Sequence, residues 1–93
     1  MTVTTDEGQV LRVLADEEGP VPSTEALSRV NPYPFGTGPD RRRLLADWRR
    51  RNRQLWDAEE HLLELGLIEG IEQARQITDA GRELARTKLG GTR

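Results

Sequence analysis

The 93-residue chain is long enough for one domain around a single modest core and too short for two independent ones. It is 34% hydrophobic and 32% charged, with no apolar run approaching the roughly 20 residues of a membrane helix, so no membrane partner is expected. The lack of cysteine excludes disulfide staples and thiolate metal sites and is compatible with a reducing cytoplasm, the expected location. Residues 1–7 show neither the basic start nor the apolar stretch of a signal peptide. The net charge of −2 conceals an uneven distribution. Residues 1–39 carry six acids and two arginines, residues 40–53 two acids and seven arginines, and residues 54–93 eight acids and five bases. Screening confines charge effects to about 8–10 Å at physiological salt, so this local +5 segment can hold a polyanion on a mildly acidic body.

In chain order, Thr4 and Glu7 form a capping box ahead of Val10, Leu11 and Leu14, predicting a first helix over 5–17 that Gly19-Pro20 stops. Val21-Pro22 adds at most a very short extended piece. Ser23 is the natural N-cap of a second helix carrying Ala26, Leu27 and Val30. Residues 31–39 hold three prolines and two glycines and read as an irregular loop, with Tyr33 and Phe35 folding back onto the core or, alternatively, stacking on nucleotides.

From Asp40 to Leu65 the pattern is helical, with Leu44, Trp48, Arg51, Leu55, Ala58, Leu62 and Leu65 on one seam that Arg51 interrupts. The segment is either one long helix or two helices meeting near 50–53. Trp48 belongs to the core, and Trp56 either joins it or serves base stacking or a dimer contact. Gly66 supplies the C-cap. Residues 67–69 and 74–77 read as two short strands around a turn near Gly70–Gln73. Thr78 then caps a last helix with Ala80, Leu84 and Leu89 on its buried face. Residues 1–4 and 90–93 are expected to fray.

The run Leu62-Leu63-Glu64-Leu65-Gly66-Leu67-Ile68-Glu69, followed by Ile77-Thr78-Asp79-Ala80-Gly81-Arg82-Glu83-Leu84, resembles the helix end, wing and post-wing helix of MarR-like and PadR-like bacterial repressors. The resemblance implies a winged helix-turn-helix fold, mainly α with a small two-stranded β-hairpin, over residues 1–93. It also implies that the helix before the wing enters the major groove of double-stranded DNA. Carried onto this chain, that helix exposes Arg49, Arg50, Arg51, Arg53, Gln54 and Asp57, with Arg50, Arg53 and Gln54 reading base edges, because arginine can grip guanine and glutamine adenine through paired hydrogen bonds. Arg41, Arg42 and Arg43, at its start, suit phosphates, and Arg75 lies near the wing tip. Glu69 and Glu72 would repel phosphate at the wing, so the arginine helix is the expected contact surface. A homodimer on a two-fold operator fits so small a reader.

The alternative is a winged helix that docks on a protein through the same basic patch. Enzyme chemistry is not expected. His61 has no cysteine or second histidine to complete a zinc site, and Glu59-Glu60, adjacent on a helix, point about 100° apart and do not converge. No cofactor is expected.

Overall fold

The Thr4 hydroxyl accepts the Glu7 amide at 3.1 Å while the Glu7 carboxylate accepts the Thr4 amide at 2.9 Å. This capping box starts helix α1, Thr5–Ala15, in a computed structural model that describes residues 3–36 and 38–88. The helix stops at Ala15, two residues short of the predicted end, with Asp16 as its C-cap. Val3, placed in a frayed tail by sequence, packs against the core, so residues 3–4 are held. Strand β1 is Val21–Pro22, and helix α2, Ser23–Val30, follows without a break. Ser23 does not cap it. Pro22, whose ring has no polar atom to cap with, occupies the N-cap, and the Ser23 hydroxyl is engaged inside the protein.

Helix α3, Arg41–Leu65, is continuous for 25 residues, about 37 Å at 1.5 Å per residue. The interruption at Arg51 breaks the apolar seam without breaking the helix. Its guanidinium reaches α1, donating to Asp6 Oδ1 at 2.5 Å and to Gln9 Oε1 at 2.7 Å. Gly66 ends α3 at φ 76°, a left-handed conformation that glycine adopts without Cβ strain.

Strands β2, Ile68–Ile71, and β3, Ala74–Ile77, form a hairpin around Glu72 and Gln73, leaving Gly70 inside β2 and outside the turn. The expected two-stranded hairpin is a three-stranded antiparallel sheet of order β1-β3-β2. The third strand is the Val21-Pro22 piece, paired Val21 to Arg75 and Pro22 to Ala74. A proline at the outer edge leaves no ladder donor missing. Helix α4, Asp79–Lys88, begins where Thr78 Oγ1 accepts the Gly81 amide and donates to the Gly66 carbonyl. One threonine thus caps α4 and ties it to the end of α3.

The core gathers Val10, Leu11 and Leu14 of α1, Ala26 and Leu27 of α2, Leu55 and Leu62 of α3, Ile68 and Ile77 of the sheet, and Leu84 of α4. Ala80, predicted on the buried face of α4, is exposed, and Gly81 takes its place against the sheet. Leu89 lies outside the described residues. The α3 seam divides near residue 55: Leu55, Ala58 and Leu62 are buried, whereas no residue from 41 to 50 is. Trp56 is exposed, which removes the core from the readings open to it. Of the loop aromatics, Tyr33 packs edge-on against Trp48 with ring centroids 5.0 Å apart, but Phe35 remains 88% exposed. The first half of α3 and the loop before it therefore stand outside the core.

Candidate nucleic-acid interface

The free half of α3 carries seven arginines, and the structure sorts them by partner. Arg51 is committed to α1. Arg41 is committed to the preceding loop, donating through Nη1 to the carbonyls of Pro34 at 3.2 Å and Gly36 at 2.7 Å. Arg50 pairs with Asp47 at 3.2 Å on the surface, a contact contributing a few tenths of a kcal/mol, about 0.3–0.5 for such helix pairs. Arg42, Arg43, Arg49 and Arg53 are exposed and have no ion-pair or hydrogen-bond partner among the described residues.

Helical geometry sorts them again. At about 100° per residue, Arg42, Arg49 and Arg53 fall within about 40° of one another, on the face turned away from Leu55 and Leu62. Arg43, Arg50 and Gln54 form a second stripe about a quarter-turn away, on the side where His61 meets α1. Arg50, Arg53 and Gln54, grouped by sequence as the base-reading set, are thus split between two faces. The unpartnered charge concentrates on the Arg42, Arg49 and Arg53 stripe. Its lower neighbours are acidic, since Asp57, Glu60 and Glu64 are exposed farther along α3.

This charge is placed against the helix's own field. The first turn holds Arg41, Arg42 and Arg43 and no acid, and the last turn holds no base. Each misplaced cation costs about 0.3–1 kcal/mol near a helix N-terminus. An anion bound there would relieve both the dipole and the mutual repulsion. A shallow hollow lined by Gly38, Pro39, Arg41, Arg42, Leu45 and Arg49 lies on this side.

Arg75 is placed otherwise than its sequence position suggested. It lies two residues past the hairpin turn, yet its side chain is only 16% exposed, with Nε 3.4 Å from Glu59 Oε1 of α3 and Nη1 donating to the Ala74 carbonyl at 2.9 Å. Glu59 is fully buried and accepts from the Ser23 hydroxyl at 2.8 Å. Burial pushes the Glu59 carboxyl up from its ordinary value, against the opposing pull of Ser23 and Arg75. Ser23, Glu59 and Arg75 therefore lock α2, α3 and β3 together as a buried polar cluster. An acid at an apolar-seam neighbour position, one residue after Ala58, was the available signal for it.

His61 is exposed at its edge and contacts the Glu7 carboxylate through Nδ1. That hydrogen bond, then the charge of Glu7, raise the imidazole pKa above 6.5, with Glu64 adding in the same direction. A raised pKa means that folding favours the protonated ring. The contribution is fully present below pH 6.5 and is lost as pH rises through the folded value. Urea midpoints of the wild type are expected to drop between pH 6 and pH 8 more than those of His61→Gln; parallel profiles would remove the His61 contribution.

Among the described residues, no group of three or more His, Asp or Glu side chains is placed to hold a metal ion, and no helix is long and apolar enough to cross a membrane. Compared with known proteins, the chain matches no family model, no curated protein and no solved structure.

Proposed function

We propose that this chain is a winged-helix protein that binds double-stranded DNA through the amino-terminal half of α3, most economically as a transcriptional regulator. The observation that carries the reading is the set of four unpartnered arginines on a helix half free of core contacts. The element order supports it: two helices with a short strand between them, then a helix leading directly into an antiparallel hairpin to which that strand adds. In this order the hairpin takes the place of the wing and α3 that of the recognition helix.

Arg42 and Arg43, at the helix start, would meet phosphates, which position a protein without reading sequence. Arg49 and Arg53 lie far enough along the helix to reach base edges, where a bidentate contact to guanine discriminates by about 1–3 kcal/mol. Two copies on a two-fold site would extend the few base pairs that one helix reads, and light scattering of the complex counts them.

Fluorescence anisotropy with a random duplex tests the reading. Two phosphate-directed arginines predict a slope of log K against log salt of about −2, at roughly 0.9 per contact. Arg42→Ala with Arg43→Ala should lower its magnitude by about 2 and weaken all sequences alike. Absence of duplex binding at low salt would refute the DNA reading and leave an acidic protein surface as the partner for the same patch.

A further inference from the structure

Phe35 is a nearly fully exposed aromatic ring on a segment that is otherwise held in place. Arg41 grips the carbonyls on both sides of it, those of Pro34 and Gly36. Tyr33 packs edge-on against Phe35 with centroids 5.4 Å apart and is itself seated on Trp48, whose indole N–H donates to the Asn31 carbonyl at 3.0 Å. Five interactions thus hold the segment that carries a ring burying little of itself. Leaving a phenylalanine in water forgoes about 1.5–3 kcal/mol of burial.

The hollow beside the ring is lined by Pro34, Phe35, Gly36, Asp40, Arg41 and Leu44, among others, and meets the hollow of Arg42 and Arg49 across Gly38, Pro39 and Arg41. The two differ in chemistry. The second offers unpartnered guanidinium groups to a phosphate. The first offers an aromatic face, the exposed Leu44 and the Asp40 carboxylate, which makes no capping hydrogen bond, while its one guanidinium is occupied by backbone carbonyls. A phosphate is repelled by Asp40 there, whereas a nucleobase finds a stacking surface and an acceptor for an exocyclic amine.

From this adjacency we infer that Phe35 is a base-contacting wedge, entering an unstacked base step next to the phosphates that α3 holds. The inference rests on the DNA reading above. Apolar side chains inserted between base steps work this way, spending unstacking energy to gain contact, so they prefer sites where a base is already unpaired.

The test compares binding of the full chain to a perfect duplex and to the same duplex with one abasic position opposite an unpaired base. Wild type is expected to bind the second duplex at least about fivefold more tightly, since stacking on an aromatic side chain changes affinity by about 5- to 140-fold per base. Phe35→Ala, which leaves the core untouched, should bind both duplexes equally, and Phe35→Trp should keep the preference. Equal binding of both duplexes by wild type, or a preference that survives in Phe35→Ala, overturns the wedge while leaving the arginine-dependent binding standing. If neither duplex binds, the DNA reading fails and the wedge with it.

Discussion

Gly81→Ala is expected to lower stability by about 2–3 kcal/mol, which for a domain of this size moves the melting temperature by about 8–24 °C. A Cβ built on Gly81 would lie 2.1 Å from the Leu67 carbonyl oxygen and 2.7 Å from Ile77 Cγ1. The first of these is backbone at the junction of α3 and the sheet, which cannot swing aside as a flexible side chain can. Alanine in a helix interior gains about 1 kcal/mol over glycine, so the steric loss must exceed that gain for the variant to be destabilised. Contact at 2.1 Å decides the sign, because α4 can accept the methyl only by lifting from the sheet and loosening Leu84. Gly19→Ala is the control, since a Cβ there meets nothing within 4 Å. Thermal melts followed by circular dichroism check both; an unchanged Gly81→Ala melt would mean that α4 does not pack this closely.

Arg75→Ala is the second large effect, expected at about 3–5 kcal/mol near neutral pH, the range for removing one partner of a buried ion pair. The damage falls on Glu59, which keeps the Ser23 hydroxyl but loses its cation. Folding already raises the Glu59 pKa above 4.5, so protonation favours the folded state and stability declines as pH climbs through the folded value. Without Arg75 the pKa rises further. The loss relative to wild type should therefore be small at pH 4 to 5 and largest at pH 7. Adding Glu59→Gln should restore most of it, because a neutral amide oxygen still accepts from Ser23. Denaturant titrations of the single and double variants at both pH values read this out. They also separate the two roles that position 75 can have. Well below its melting temperature, folded Arg75→Ala should bind duplex like wild type, whereas a folded variant with lost binding would reinstate Arg75 as a DNA contact.

Local rules made most of the fold legible. The capping box at Thr4, the glycine after Leu65 and the threonine before α4 each act within four residues, and each sits where the sequence placed it. Val21-Pro22 was legible as a very short extended piece but not as the third strand of the sheet, because two residues carry no period. Val21-Pro22 becomes one by pairing with a strand more than 50 residues away. The site was legible in composition and illegible in direction. The count of arginines between 40 and 53 is plain in the sequence, but their assignment depends on contacts with α1 and the loop that remove Arg51 and Arg41 from the surface set. The seam through Leu44 and Trp48 predicted burial, yet α3 outruns the body it packs on, so helical spacing there has no core to face. Phe35 and Arg75 exchanged expectations for the same reason: exposure is set by tertiary placement, and hydrophobicity or charge alone does not decide it.

The charge reversal along α3 has a consequence for how the molecule approaches a polyanion. Arginines crowd the first half of its outer face and Asp57, Glu60 and Glu64 the second, so the helix surface is an electrical lever about 37 Å long. In the field of a phosphate backbone such a lever feels a torque as well as an attraction. It is turned arginine-first while still several ångströms away, and the acidic end and mildly acidic body discourage the wrong orientations before any contact is made. The mildly negative net charge would then act, in an encounter with a polyanion, as a filter on pose.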